Sequence, residues 1–199
     1  FDDLIIGAGA VRGADGAFNV GASYILFGKA SNFDAVMNVS SIVSNNGFRL
    51  EGVAENDRAG TSVSTAGDVN NDGRDDLIGF GLDGVYVALS TGSGFSAVSK
   101  WSSSFDLSHG WTVAGYVRTV GDVNFDGRDD LIGFGLDGVY VALSNGASFD
   151  AVSRWTNDFD LSHGWTVSQY VRTVGDVNND GKADLVGFGL DGVYIGTAK

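Results

Sequence analysis

One segment recurs three times along the chain, and this repetition constrains the fold more than any other feature. The sequence DVNNDGRDDLIGFGLDGVYVALS at 68–90 returns with few changes at 122–144 and again at 176–196, at a constant spacing of 54 residues. A more divergent copy opens the chain, where FDDLIIGAGA at 1–10 aligns with 74–83. Repeats of this length indicate a propeller or a solenoid, in which each unit packs against its neighbours.

Each repeat contains four candidate β-strands separated by turn residues. In the second repeat they are 116–120, 131–134, 139–143 and roughly 149–155, and Asp137-Gly138 forms a hairpin signal between the second and third. The chain has 31 glycines and no proline, a composition that favours turns over helix interiors. Four antiparallel strands in about 50 residues make one propeller blade, whereas a solenoid coil is usually shorter.

The predicted fold is therefore all-β, a β-propeller segment of about 3.7 four-stranded blades, either a fragment of a longer chain or a half-ring. We predict one propeller domain over 1–199, with a partial blade A at 1–60, blade B at 61–108, blade C at 109–162 and a partial blade D at 163–199. Blade A lacks its leading strand and blade D its fourth. Open strand edges promote association, so we expect the isolated chain to self-associate.

Charge and composition exclude several classes of function. Twelve basic residues oppose 25 acidic ones, for a net charge of −13, and 23 of the acids are aspartate. An anionic nucleic acid or membrane surface would be repelled. The absence of cysteine excludes a disulfide framework, a zinc-thiolate site and a thiol nucleophile. No apolar run is long enough for a membrane-spanning helix, so we expect no membrane insertion.

Each repeat carries an acidic loop whose oxygen side chains alternate along the chain. In the first loop Asp68, Asn70, Asp72 and Asp76 stand at positions 1, 3, 5 and 9, and Gly73 allows a sharp turn at position 6. The main-chain carbonyl of position 7 is a further candidate ligand. Hard oxygen ligands in a flexible loop favour Ca²⁺ over zinc, copper or Mg²⁺. The sequence predicts three Ca²⁺ sites, formed by Asp68, Asn70, Asp72, Arg74 and Asp76; by Asp122, Asn124, Asp126, Arg128 and Asp130; and by Asp176, Asn178, Asp180, Lys182 and Asp184.

The alternative for these loops is a polar turn that holds no metal. An EF-hand is excluded, because position 12 is Gly79, Gly133 or Gly187 rather than glutamate. Position 8 is aspartate in two loops and Ala183 in the third, so we expect Asp75 and Asp129 to be solvated. Asp3 matches position 9 of a fourth loop whose first six positions are missing, and we expect no binding there.

Tryptophan and histidine recur with the same spacing. Trp101 and Trp155 end a strand and are expected in the core or between blades. Trp111 and Trp165 follow a Ser-His-Gly turn, and together with His109 and His163 they are the candidate ligand-binding residues. An indole can stack on a sugar ring while an imidazole binds a hydroxyl. The alternative is that both tryptophans fill the gap between blades.

Catalysis has little support in the sequence, and we predict a protein that is not an enzyme and has no catalytic residues. Both histidines belong to the repeat, so catalysis would require repeated active sites. Ser108 and Ser162 lack a nucleophile elbow. Adjacent carboxylates such as Asp129 and Asp130 point to opposite sides of an extended chain and cannot act as a pair on one substrate.

The segment DVNNDGRDDLIGFG resembles the FG-GAP repeat of integrin α-subunit propellers and their bacterial relatives. The first repeat is of the integrin type but has Gly9 where that family often has proline. The 54-residue repeats, with GFGLDGVYVALS and a tryptophan-containing linker, look closer to calcium-binding propeller lectins of fungi and bacteria. The resemblance implies a Ca²⁺-binding propeller that is secreted or on the cell surface, and whose ligand is a glycan or an extracellular protein. The alternatives are a purely structural or protein-adhesion propeller in a larger secreted or surface protein and, less favoured, an accessory domain of an enzyme.

Overall fold

The structure, a computed structural model, describes residues 4–8, 10–13, 16, 18–27, 38–42, 46–51, 67–112 and 114–199. The chain forms two compact units, Phe1–Thr65 and Ala66–Lys199. Thirteen β-strands lie in the described residues: β1 Leu4–Ala8, β2 Ala22–Leu26, β3 Gly47–Glu51, β4 Leu77–Phe80, β5 Val85–Ala88, β6 Ser99–Ser102, β7 Val117–Gly121, β8 Asp130–Phe134, β9 Val139–Ala142, β10 Ser153–Thr156, β11 Arg172–Gly175, β12 Asp184–Phe188 and β13 Val193–Gly196.

The described part of the chain contains no α-helix, and the prediction of an all-β fold is confirmed. Its helical segments are three short 3₁₀ turns, at Val39–Ser41, Leu107–His109 and Leu161–His163. None of them has the length and apolar character that a membrane-spanning helix requires.

The described residues of the first unit form one sheet, in which β1, β2 and β3 pair antiparallel in that order. The five residues of β2, the central strand of this sheet, are all buried. Asp3, which the sequence assigned to an incomplete fourth loop, lies outside the described residues.

In the second unit, the described residues form three sheets that follow the repeat. Strands β7 to β10 form a four-stranded antiparallel meander, as expected for a propeller blade. Strands β4, β5 and β6 form a three-stranded sheet, and β11, β12 and β13 form another. In both sheets the strands lie side by side in the order of the chain. The fourth strand is shorter than the sequence predicted, because Phe149 pairs with Ser144 in a separate hairpin before β10 begins.

The core of the second unit lies at the junctions between neighbouring sheets. Alternate residues of β8 serve two junctions, since side chains along a strand point to opposite faces. Leu131 packs with residues of the preceding sheet, in a cluster that includes Val69, Val85, Val87, Trp101, Phe105, Ala142 and Phe149. Ile132 belongs to the next cluster, with Val123, Phe134, Val139, Val141 and Phe159. Each repeat therefore completes the core of its neighbour.

Candidate functional site

The second and third acidic loops connect β7 to β8 and β11 to β12, and the first loop leads into β4. All three loops have the same backbone shape. The backbone is left-handed at position 4, with φ of 59° at Asn71, 64° at Phe125 and 61° at Asn179. Position 6 is also left-handed, at Gly73, Gly127 and Gly181. Glycine adopts this conformation without steric cost, which explains its presence at position 6. The sharp turn expected there is present.

The side chains at positions 1, 3 and 5 converge within each loop. The carboxylate of Asp122 accepts hydrogen bonds from the backbone N–H groups of Asp126 at 3.2 Å and Gly127 at 2.8 Å. The Asn124 amide donates to Asp126 Oδ2 at 3.0 Å, while its Oδ1 accepts from the Asp126 N–H at the same distance. Equivalent contacts hold the loops that begin at Asp68 and Asp176.

The aspartate at position 9 is buried in every loop and joins three chain segments. Asp130 accepts from the Val123 N–H at 3.2 Å and from the Ser144 N–H at 2.8 Å. Asp76 and Asp184 accept from the corresponding pairs of N–H groups. This carboxylate therefore fastens the loop to the end of the third strand, a role that the sequence analysis did not predict.

The electrostatics of the second loop favour a cation. Burial raises the pKa of Asp130 to about 7, and the negative charges of Asp126 and Asp122 add to this effect against the opposing backbone hydrogen bonds. The pKa of Asp76 is raised for the same reasons, with Asp72 and Asp68 as its acidic neighbours. A bound cation would offset this repulsion.

The arginine at position 7 holds its loop closed. The Arg128 guanidinium contacts Asp126 Oδ2 and donates from Nε to the Ser144 carbonyl at 3.0 Å. Arg74 makes the same two contacts, with Asp72 at 2.9 Å and Ser90 at 3.4 Å. The guanidinium thus ties the position 5 carboxylate to the loop that follows the third strand.

Position 8 lies where two acidic loops meet. The Asp129 N–H donates to the Asp68 carbonyl at 2.8 Å, and the Ala183 N–H donates to the Asp122 carbonyl at 2.7 Å. Asp129 is partly buried, and burial raises the pKa of its carboxyl to about 6. The expectation that Asp129 is solvated is wrong, because its side chain packs against Gly67 of the preceding loop. Asp75 is exposed, as expected.

The donor set of each loop fits Ca²⁺ in kind. Three carboxylates, one amide oxygen and a main-chain carbonyl are the hard ligands that this ion takes. Within 67–112 and 114–199, the ranges that hold the loops, no group of three or more acidic, histidine or cysteine side chains is spaced as a formed metal centre. The carboxylate oxygens accept backbone N–H groups there.

Trp111 lies in a cavity of about 430 Å³ between the linker that follows β6 and the hairpin of β8 and β9. The indole rests on Gly133, where a Cβ atom would approach ring carbons to 2.6 Å, so this strand position requires glycine. Its ring centroid is 4.9 Å from Phe105, 5.1 Å from Tyr116 and 6.1 Å from Tyr140. Trp111 is therefore partly packed and also lines an open cavity. The interpretation as a packing residue and the interpretation as a ligand-binding residue each describe one part of its environment.

His109 borders the same cavity and is held by a buried carboxylate. Its Nδ1 lies 2.9 Å and 3.0 Å from the two carboxylate oxygens of Asp106, which also accepts from the Ser108 hydroxyl at 2.6 Å. A carboxylate can only accept, so we infer that Nδ1 carries the proton and that Nε2 is the acceptor nitrogen of the neutral ring. The side chain of His109 is 61% exposed. Nε2 is thus the nitrogen available to a ligand.

The next repeat builds the same arrangement around Trp165. The indole rests on Gly187, and its centroid lies 5.2 Å from Phe159 and 5.5 Å from both Tyr170 and Tyr194. His163 Nδ1 lies 3.0 Å from both carboxylate oxygens of Asp160. All four predicted ligand-binding residues thus lie in two equivalent sites.

Several residues of these sites were missed by the sequence analysis. They are the buried acids Asp106 and Asp160, the flanking tyrosines Tyr116, Tyr140, Tyr170 and Tyr194, and the hairpin residues Leu136 and Asp137. The acids and tyrosines recur at the 54-residue spacing. That spacing was the signal that could have identified them.

The Asp106–His109 contact predicts a specific pH dependence. Burial raises the pKa of Asp106, but hydrogen bonds from Ser108 and His109 outweigh it and lower the pKa to about 2. The ionised form therefore favours folding above the ordinary pKa of 3.8, and this contribution is lost as the pH falls through about 2. We expect Asp106→Asn to lower the melting temperature more at pH 7 than at pH 2.5, as followed by circular dichroism. Asp150→Asn, on an exposed carboxylate, is the control, and an equal loss at both pH values would contradict the prediction.

Comparison with known proteins supports this description of the fold. Residues 68–133 match the family described as the FG-GAP-like repeat, which confirms the predicted repeat type for that stretch. A solved lectin structure from Agrocybe aegerita, described as recognising non-reducing terminal N-acetylglucosamine specifically, is similar, with a TM-score of 0.63 and 38% identity. The match covers 67% of this chain and 34% of the lectin chain, so this chain spans about a third of the lectin's length. No curated protein sequence matches the chain. The predicted partial β-propeller is confirmed.

Proposed function

We propose that the chain is a non-enzymatic, carbohydrate-binding segment of an extracellular, calcium-binding β-propeller. The observation that carries this proposal is the repeated aromatic site. In each of two repeats an indole rests on a strand glycine, is flanked by two tyrosines, and lies beside a histidine that a buried aspartate orients. The similarity to the Agrocybe aegerita lectin supports the same ligand class.

The pocket chemistry suits a sugar ring. The apolar face of a pyranose stacks on an aromatic ring, and its hydroxyl groups require donors and acceptors at the edge of the pocket. Around Trp111 these polar groups are His109 Nε2 and the Asp137 carboxylate, which also accepts from the Tyr140 hydroxyl at 2.6 Å. Leu136, an exposed residue at the hairpin tip, adds an apolar contact suited to an acetamido methyl group. We therefore choose terminal N-acetylglucosamine as the first probe.

Calcium binding is the second part of the proposal. The three acidic loops place hard oxygen donors and mutually repelling carboxylates side by side, and the FG-GAP-like match covers the first two loops. The ions would be held by the side chains at positions 1, 3, 5 and 9 and by the carbonyl of position 7. Bound calcium supplies positive charge that offsets the repulsion between the carboxylates. Extracellular modules commonly bind calcium with Kd of about 10⁻⁴–10⁻³ M, close to the free calcium level outside cells.

The pocket is tested by Trp111→Ala and Trp165→Ala, titrated with a terminal N-acetylglucosamine oligosaccharide and screened on a glycan array. A single site of this kind has a Kd on the order of 1 mM, which corresponds to about −4 kcal/mol. We expect each substitution to abolish binding at its own site, and the double variant to lose at least tenfold in avidity on a multivalent glycan surface.

The matched control is Trp155→Ala, which removes an exposed repeat tryptophan outside both aromatic sites. Circular dichroism shows whether each variant is folded. Unchanged glycan binding by the folded double variant would contradict the pocket proposal. Unfolding of both single variants would show that these tryptophans are packing residues and would favour the structural or protein-adhesion alternative.

A further inference from the structure

Two tryptophans at the same position of the repeat have different surroundings. Trp101 is 7% exposed, whereas Trp155, 54 residues later, is 43% exposed. Both were expected in the core or between blades; Trp101 is in the core, whereas Trp155 is largely exposed. The indoles nevertheless have the same pose, because each donates its N–H at 3.1 Å to the serine two residues earlier, Ser99 or Ser153.

Trp101 is covered by a hairpin of the next repeat. The Phe149 ring lies 5.5 Å from the Trp101 ring between centroids, at an angle of 58°. The Phe149 N–H also donates to the Trp101 carbonyl at 3.2 Å. Phe149 is buried and belongs to the same apolar cluster as Trp101, and Val152 packs against that cluster. The position equivalent to Phe149 in the following repeat lies beyond Lys199.

An apolar groove of about 540 Å³ is present where that hairpin would lie. Its walls include Trp155, Val139, Val141, Phe159, Leu185 and Ile195. Five of these residues have a counterpart 54 residues earlier in the core around Trp101, namely Trp101 itself, Val85, Val87, Phe105 and Leu131. The counterpart of Ile195 is Val141, which is buried in the next cluster. The groove at Trp155 is therefore a junction between repeats. Among the described residues, no hairpin covers it as the Phe149 hairpin covers Trp101.

The edge strand of the last sheet, β13, also presents apolar side chains that are not covered by the described residues. Strand β9 pairs with β10, whereas β13 pairs with β12 alone among the described strands. Val193, Tyr194 and Ile195 are all exposed in β13, while Val139 and Val141 are buried in β9. The groove and the unpaired edge thus form one continuous surface.

We propose that this surface is the acceptor for a further hairpin of the same repeat type, with a phenylalanine at the position of Phe149 that packs on Trp155. The strand after this phenylalanine pairs with β13. The choice of occupant follows from the Trp101 junction, where the equivalent residues of the preceding repeat contact such a hairpin. The walls are mostly apolar, which fits an aromatic side chain better than a sugar.

The test extends the chain after Lys199 by a copy of residues 146–154, GASFDAVSR, which places the phenylalanine in register and adds no tryptophan. The matched control carries the same nine added residues, except that the added copy of Phe149 is replaced by serine; Phe149 itself is unchanged. Acrylamide quenching of Trp155 is obtained as the difference between each protein and its Trp155→Phe counterpart. We expect the phenylalanine extension to reduce Trp155 quenching at least threefold and to raise the melting temperature, while the serine extension changes neither.

Equal quenching in the two extended proteins would overturn the proposal. The unextended chain supplies a second discriminating measurement. If its Trp155 becomes protected as the protein concentration rises, in parallel with dimer formation in sedimentation, a second copy is the occupant and the proposal is wrong. Protection of Trp155 in the unextended monomer would overturn it as well.

Discussion

Removal of calcium is expected to lower the melting temperature of the chain by roughly 10 °C. If free calcium is about tenfold above Kd, each site stabilises the folded state by about 1.4 kcal/mol, or about 4 kcal/mol for three sites. For a chain of this size, 1 kcal/mol corresponds to about 2–4 °C. Thermal unfolding by circular dichroism, in excess chelator and in millimolar calcium, measures the difference.

A single-loop variant assigns the effect to the predicted ligands. Asp126→Ala removes the position 5 carboxylate of the second loop, so we expect two bound ions instead of three by calorimetric titration. The control is Asp150→Asn, which changes an exposed carboxylate outside the loops and should leave three ions. A melting temperature that is the same with and without chelator would rule out the calcium proposal.

Replacement of Asp130 by alanine is expected to destabilise the chain even when no calcium is present. The substitution leaves the buried N–H groups of Val123 and Ser144 without their acceptor. Each unsatisfied buried donor costs roughly 1–3 kcal/mol, so the loss of the acceptor for two donors should lower the free energy of unfolding by about 2–6 kcal/mol. Urea unfolding in calcium-free buffer at pH 4 measures this loss. At that pH the Asp130 carboxyl, whose pKa burial raises to about 7, is protonated in the folded state, so its removal relieves little charge repulsion.

Asp126→Ala under the same conditions is the matched comparison. Asp126 is only partly buried and its loss relieves repulsion with Asp122, so we expect a change below about 1 kcal/mol. Equal destabilisation by the two substitutions would show that Asp130 has no special structural role. In calcium both variants should be destabilised, because both lose a ligand.

The repeat was sufficient to predict the all-β architecture, the strand order within a blade and the type of each loop. Strand positions followed from alternating apolar residues and from the Asp137-Gly138 turn, since both signals are local. The candidate pocket residues His109 and Trp111 were identified because their spacing matched the repeat. Their partner Asp106 shares that spacing, but its role requires the 3₁₀ turn at Leu107–His109, which brings residues three apart into contact.

The sequence by itself thus determined what is local and periodic: the blade-forming strands, the left-handed glycine of each acidic loop and the recurring tryptophans. Only the tertiary structure decided what these residues contact. Asp126 and Asp130 are both loop aspartates, but only Asp130 reaches the end of the third strand. Trp101 and Trp155 occupy the same repeat position, yet one is buried and the other exposed. Burial depends on which neighbouring repeat supplies the covering surface, and that is a property of packing between segments distant in the chain.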